Sequence, residues 1–405
     1  MAFREQFEIP AKFKMWSMIL MGIGLVSILT GYFVYGTGDE HHNMRFWGTL
    51  LYNSVYFLLV VNAAMFFICA TTLAMGGFQM AFRRVSEAIS TAVVPLGIIS
   101  GVILLVLVLG HKHHIYHWLT PGDDKLLLGK SGFLNSKFFI VWTILSIAGW
   151  IFLGAKMRRI SREIDDRGPL NTQEGKAYIY KNTVWGSLFL VWFGLTVMST
   201  VPWLWLMSLD AHWYSTMYSW YTFASTFVAG LALITLFVVY LKNQGYLELV
   251  NHEHLHDLGK FIFAFSIFWT YLWFSQYMLI WYANIPEETV YFKHRVQGPY
   301  RGIFFLNLIV NFIAPLLILM RRSSKRNYTL LVFMAAIVIC GHWLDFYQMV
   351  IASLFKEHVE LNLFDFGVAA GFVGLIMYST GNALTKRSLI AKNHPFFKES
   401  IIHHT

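Results

Sequence analysis

The sequence predicts an all-α polytopic membrane protein with about ten transmembrane helices. Three observations carry that prediction. Of 405 residues, 57% are hydrophobic and only 13% charged, where a soluble domain carries about 25% charged residues. Apolar stretches of about 20 residues, each enough to cross the hydrocarbon core, recur along the whole chain. The segments between them are too short to make a separate soluble domain, so residues 1–405 read as one integral-membrane domain.

The expected spans are 16–35, 47–74, 86–110, 137–155, 184–208, 216–241, 258–284, 301–320, 329–354 and 364–384, called spans 1 to 10. The segment Met1–Lys14 leads straight into span 1 with no small-residue cleavage site, so span 1 is expected to be retained. An even number of spans puts both termini on one side. Of the 31 Lys and Arg, 22 fall on that side and 9 on the other, so the positive-inside rule places both termini in the cytoplasm. The run Lys156-Met157-Arg158-Arg159 and the cluster Arg321-Arg322-Ser323-Ser324-Lys325-Arg326 carry much of the asymmetry. Lys156 to Thr183, with Gly168-Pro169, reads as a solvated connector. Spans 2–5 and 6–9 make two sets of four, which permits two four-helix bundles with spans 1 and 10 left over.

Several chemistries are disfavoured at once. No Gly-rich phosphate loop with its lysine is present, which argues against ATP-driven work. Cys69 and Cys340, both inside apolar stretches, make neither a disulfide framework nor an iron–sulfur ligand set. A transmembrane bis-histidine haem needs two imidazoles at matching depth, and only His342 lies deep in a span.

Span 9 has the most informative interior, Cys340-Gly341-His342-Trp343-Leu344-Asp345-Phe346-Tyr347-Gln348. His342 and Asp345 are three residues apart and share a helical face. An aspartate in hydrocarbon costs roughly 2.5–3.5 kcal/mol, so Asp345 needs a partner, a proton or water. It serves either as a packing pair between helices or in a proton-relay or quinone-headgroup role. Span 8 carries Asn307 and Asn311, suited to hydrogen bonds between helices, followed by Pro315. Span 3 opens with Glu87 and kinks at Pro95; Glu87 is either the mouth of a proton path or an acid favouring the helix N-terminus. Glu87, His342 and Asp345 are therefore the proton-path candidates.

Histidines gather in two places. His111, His113, His114 and His117 follow span 3, and Asn251-His252-Glu253-His254-Leu255-His256-Asp257 leads into span 7. Neither run has the Cys partners or fixed spacing of a zinc motif, and no metal is expected there. A quinol-oxidising site requires a group that titrates near neutral pH, which histidine as a residue type supplies, and His111 and His113 lie on the outward side. The exit of span 7 joins them as a quinone-facing or partner-facing surface. There Trp281 and Tyr282 suit a headgroup-level belt. Asn284-Ile285-Pro286 stops the helix, and an outward-facing loop Ile285–Tyr300 is expected next, with Glu287 and Glu288 at the water boundary.

Two motifs, Trp281-Tyr282-Ala283-Asn284-Ile285-Pro286-Glu287-Glu288-Thr289 and Gly341-His342-Trp343-Leu344-Asp345-Phe346-Tyr347, together with the ten-span layout, resemble the NrfD/polysulfide-reductase membrane-subunit family. The resemblance covers essentially the whole chain. It implies two four-helix bundles plus two peripheral helices, and a subunit of a respiratory quinol:electron-acceptor oxidoreductase in the bacterial inner membrane. The expected partners are a second NrfD-like subunit, cytochrome c subunits holding haem c, and an iron–sulfur subunit. This chain would hold no cofactor of its own, and no catalytic residue, but could face menaquinone or its quinol. Relatives that bind quinol tend to pair an acid with an arginine in the equivalent of span 9, and span 9 here has no arginine. The resemblance then implies a scaffold and proton conduit, with quinol oxidation in the sister subunit. Two alternatives of other classes are an independent secondary transporter and a purely structural anchor. A transporter usually shows inverted repeats with broken helices at the midplane, and Pro95, Pro202 and Pro315 form no matching pair.

Overall fold

The computed structural model describes residues 5–403. It has ten helices long and apolar enough to cross a membrane: Ala11–Gly36, Glu40–Leu73, Arg83–Leu109, Ser136–Arg167, Thr172–Asp210, Met217–Asn243, His252–Ala283, Arg301–Leu319, Tyr328–Leu354 and Leu363–Thr385. These are spans 1 to 10 in order, and the protein is an all-α, multi-pass membrane protein. Both chain ends lie on one side, where the N–H of Leu389 donates to the carbonyl of Glu5 at 2.7 Å. That side is termed the termini side, and the other the far side.

Spans 2–5 close into one four-helix ring and spans 6–9 into a second, with spans 1 and 10 paired at the periphery. Spans 2 and 6 lie at the centre, where the two rings meet. Their most apolar windows are 89% and 83% buried, against 17–50% for the others. Hydrocarbon gives apolar side chains no reason to prefer each other over lipid, so close packing and hydrogen bonds must hold the helices. Between the rings, Trp343 Nε1 donates to Asn53 Oδ1 at 2.8 Å and Tyr56 Oη to the carbonyl of Ile339 at 2.7 Å. Span 10 is locked to span 2 by a buried charge pair. Asp365 accepts from Arg45, from Thr49 Oγ1 at 3.1 Å and from Tyr52 Oη at 2.8 Å. Asn362 caps the same helix in a reciprocal box with Asp365.

Two expectations change, and a third feature has no counterpart in the sequence reading. The solvated connector at 156–183 is mostly helix: spans 4 and 5 extend past the apolar stretch and leave only 168–171 between them. The extension buries Met157, Ile160 and Ile164, Gly168 ends it at φ 83°, and Asn171 with Glu174 caps the next helix. The exit of span 7 does break at Asn284, which is left-handed at φ 49°. The chain beyond the break is no loop but a helix, Pro286–Val296, with Pro286 at its first position and Glu287 and Glu288 in its first turn. Third, two prolines widen the turn before them into a π-turn, Thr196–Thr200 before Pro202 and Ile309–Ile313 before Pro315. A proline rules out the regular hydrogen bond to the fourth residue back, and the wider turn absorbs that loss.

Spans 1 and 10 approach backbone to backbone. A Cβ on Gly24 would stand 2.3 Å from Gly371 Cα, whereas one on Gly22 would meet nothing within 4 Å. Gly371→Val should therefore destabilise the protein by about 1–3 kcal/mol and lower its thermal midpoint in detergent. Gly22→Val should leave it unchanged; equal midpoints for the two variants would rule out the close crossing.

Candidate functional site

Span 9 presents His342, Asp345 and Gln348 to the interior of the second ring, each buried. Their spacing of three residues stacks them along one face. Asp345 accepts three hydrogen bonds from two other helices: from Tyr221 Oη and Ser225 Oγ (3.0 Å) in span 6, and from Trp269 Nε1 (3.2 Å) in span 7. Tyr221 and Ser225 are four apart, which is why one helix delivers both hydroxyls to one carboxylate. Ser225 Oγ also lies 3.0 Å from His342 Nδ1. With its one proton given to Asp345, the hydroxyl accepts from Nδ1–H, leaving Nε2 of His342 as the unprotonated nitrogen. That nitrogen is buried without a hydrogen-bond partner among the described residues. The imidazole stands edge-on to Trp269, with ring centres 5.4 Å apart.

Toward the far side the polar column continues. Gln348 Oε1 accepts from Asn307 Nδ2 at 3.0 Å. The carbonyl of Gln348 accepts from Arg295 Nη2 at 3.3 Å, and the same guanidinium reaches Ser353 Oγ at 2.9 Å and the carbonyl of Tyr291 at 2.8 Å. Arg295 lies over the ring of Tyr291 at 3.5 Å, and Tyr291 stacks on Trp213 at 3.9 Å. A narrow cavity of about 20 Å³ runs among Tyr221, Gln276, Arg295, Asp345 and Gln348, room for one ordered water. Gln276 Nε2, Gln348 Nε2, Arg295 Nε and Asn307 Oδ1 have no hydrogen-bond partner among the described residues, and buried polar atoms normally have one. Toward the termini side, Asn311 fills the space beside Gly341, where a Cβ would lie 2.1 Å from its Oδ1. Both side-chain polar atoms of Asn311, and Ser266 Oγ, are likewise unpaired among the described residues.

On the far side, a cleft of about 450 Å³ opens between the end of span 7 and the Pro286–Val296 helix. Tyr277, Trp281, Asn284, Phe292, Lys293 and Gln297 line it, and Phe292 also lines the Asp345 cavity, so one ring stands between the two.

The structure divides the sequence-derived candidates. His342 and Asp345 come together; Glu87 does not join them. It lies at the termini side of the first ring, buried between Arg83 (3.0 Å) and Arg84 (2.7 Å), and Arg84 also holds Asp165 at 2.5 Å. Trp281 lines the far-side cleft, while Tyr282 and Glu287 are exposed beside it. The carbonyl of Glu288 accepts from Trp213 Nε1 at 3.1 Å. His111, left-handed at φ 46°, and His113, 3.7 Å from Glu40, are exposed beyond the first ring. Better placed at the mouth of the second ring is His294, which burial, then Lys356, holds below the usual histidine range.

Sequence reasoning missed Tyr221, Ser225, Trp269, Gln348 and above all Arg295. The arginine absent from span 9 arrives from the helix after span 7. Tyr221 with Ser225, and Gln348 with Asp345, carry a helical-face spacing that points to them; nothing local in the sequence points Arg295 at Asp345. No protein-family model matches this chain, and no curated protein matches it either.

The C-terminal segment closes the termini side. His394 packs edge-on against Tyr178 at 5.4 Å, and burial pushes its pKa down to about 3. The unfolded chain takes up that proton near pH 6.5, so the neutral buried ring favours folding above that value and the advantage is lost as pH falls toward 3. Stability should drop by roughly 1.4 kcal/mol per pH unit on this account below about pH 6.5. His394→Asn should flatten the fall in thermal midpoint between pH 6.5 and 4.5. An unchanged slope would show that another group drives it.

Proposed function

We propose that this chain is an integral membrane subunit of a respiratory quinol:cytochrome c or quinol:oxidase oxidoreductase in the bacterial inner membrane. On this reading it is an NrfD-like subunit, corresponding to the second such subunit of alternative complex III. It assembles with the other NrfD-like subunit, cytochrome c subunits and an iron–sulfur subunit. The termini face the cytoplasm, in line with the excess of Lys and Arg on their side. The far side then faces the periplasm.

One observation carries the reading: the buried Asp345 joined through Ser225 to His342, with an arginine-lined polar cavity beside it. Intramembrane ionisable groups are functional by default, and this one has what a proton relay requires. A carboxylate, a hydroxyl and an imidazole lie within hydrogen-bond reach in sequence, so a proton can pass by reorienting short bonds. Unpaired polar atoms continue the line on both sides, through Gln348 and Arg295 toward the periplasm and Asn311 and Ser266 toward the cytoplasm. The far-side cleft suits a quinone headgroup and the start of its tail. Tyr277, Ile280, Trp281, Phe292 and Val296 give it apolar surface, and Asn284, Thr289, Lys293 and Gln297 give it hydrogen-bonding groups. A bound quinol would supply two electrons and two protons. The chain's own part is to seat the ring against Trp281 and Phe292 and to hold a proton acceptor behind it. In that assembly, haem c and iron–sulfur centres of the partner subunits would accept the electrons.

The first measurement is mild-detergent purification of the tagged chain with a reduced-minus-oxidised spectrum. A c-type haem signal with stoichiometric partner bands is expected. A colourless, solitary protein would overturn the respiratory assignment and favour an independent transporter. In the intact complex, Asp345→Asn should leave haem content unchanged and slow proton-coupled turnover by about tenfold or more. Normal turnover and proton release at normal assembly would reduce Asp345 to an anchor between spans 6, 7 and 9.

A further inference from the structure

We propose that His41, His358 and Glu360 form a binding site for a single divalent transition-metal ion of the zinc class on the far side. His41 lies in the first turn of span 2; His358 and Glu360 lie in the connector between spans 9 and 10. The two imidazoles are nearly parallel, with ring centres 5.5 Å apart and planes inclined by 20°. Glu360 Oε1 is 3.0 Å from His358 Nε2 and 3.9 Å from His41 Nε2, and one ligand atom from each residue falls within 4.8 Å of the others. A tetrahedral ion with bonds of 2.0–2.1 Å spaces its ligands by about 3.3 Å. Shifts of an ångström or less in two half-exposed side chains reach that geometry.

The surroundings are what distinguish this group from an incidental surface pair. The other carboxylate oxygen of Glu360 faces Arg45 Nε at 3.4 Å, and Arg45 is itself buried. The charge of Arg45 is already met by Asp365, so Arg45, Asp365 and Glu360 together leave one negative charge. Glu360 Oε1 is the oxygen turned toward the imidazoles. The connector is pinned beside both ligands: Tyr300 Oη donates to the carbonyl of His358 at 2.8 Å, and the N–H of Glu360 donates to Tyr347 Oη at 3.1 Å. Phe355, buried beneath, stands edge-on to His41 with ring centres 4.8 Å apart, and its ring centre lies 6.1 Å from that of His358. A ligating carboxylate that is itself held by other polar groups supports tighter metal binding. Two nitrogens and one carboxylate oxygen suit zinc or its neighbours and leave a fourth position to water or a partner's side chain. A second group, Glu40, His113 and His114, also brings ligand atoms together. There His114 Nε2 is engaged by Asn43 Oδ1 at 3.1 Å, and Glu40 and His113 stand largely in solvent. It serves as the internal control. Bound metal would tie the span 9–10 connector to the start of span 2, across the junction of the two rings.

The test uses the full-length chain, purified with a histidine-free tag together with whatever partners it retains, and stripped with chelator. Zinc chloride is then titrated by calorimetry, and metal is counted after gel filtration. One equivalent per chain is expected, with affinity reduced at least tenfold in Glu360→Gln, in His41→Asn and in His358→Asn, and unchanged in His113→Asn/His114→Asn. His41 and His358 are about half exposed, so their replacement does not disturb the core. Cobalt in place of zinc should give the visible absorption of a four-coordinate site, which His358→Asn removes. Failure of the wild-type chain to retain zinc would overturn the proposal. So would equal retention by the His41→Asn/His358→Asn variant, or loss only in the His113→Asn/His114→Asn control. None of these readouts depends on quinol turnover.

Discussion

A carboxylate deep in a membrane protein must be given partners, because no water is at hand to hydrate it. Asp345 receives them from spans 6 and 7, and that requirement fixes three of the four helices of the second ring against one another. Tyr221, Ser225 and Trp269 must all point at one side chain of span 9. The rotation of each helix about its axis is thereby set, and with it the line of polar atoms along the ring. The first ring answers the same demand differently. Its interior tryptophans are closed off by threonines, Trp150 by Thr196 and Trp205 by Thr143, both at 2.9 Å. Its charges are confined to the ends, where Arg83, Arg84, Glu87 and Asp165 neutralise one another. Two rings of the same architecture thus differ in where their carboxylates sit: at the end of the first, deep within the second.

The distinction bears on how Asp345 is understood. A buried ion pair or hydrogen-bonded acid that serves only to lock helices is most stable when every polar atom is met, since each unmet one costs free energy. The Arg45–Asp365 junction comes close to that state, with Thr49 and Tyr52 also donating to the carboxylate. Around Asp345 the carboxylate is well met, yet His342, Asn311, Gln348, Gln276 and Arg295 each keep an unpaired polar atom among the described residues. On the proposed reading, water or a proton would pass along those atoms.

Much of the fold was legible because hydrocarbon imposes a length and a composition on every crossing. All ten spans, the shared side of the termini and the break at Asn284 follow from apolar run length, parity and the local chemistry of Asn and Pro. The helical extension at 156–167 was not legible as such. Its charges suggested solvent, but Met157, Ile160 and Ile164 fall on one face, and only the tertiary contacts decide that this face is buried. Within the site, His342 and Asp345 announced themselves by polarity in an apolar run. Tyr221, Ser225 and Trp269 did not, because hydroxyls and indoles are ordinary in membrane helices and gain meaning only from what they face. The same holds for His41, His358 and Glu360, which share no sequence pattern and meet only through the fold.

Arg295 shows how much one turn of backbone can decide. Had span 7 run on straight, the eleven residues that follow Asn284 would have carried Arg295 about 16 Å farther along the axis, out into water with Glu287 and Glu288. Asn284 in the left-handed conformation and Pro286 at the next helix start turn the chain back instead. The new helix lies across the mouth of the second ring, with Tyr291, Phe292 and Arg295 turned inward and Glu287 and Lys293 outward. The same turn creates the cleft beside Trp281, since its two walls are the helices on either side of the break. Cleft, dividing Phe292 and buried arginine are therefore consequences of a single bend. The motif from Trp281 to Thr289 matters as the device that folds a cation back over the acid of span 9, more than as a set of side chains exposed at the membrane surface.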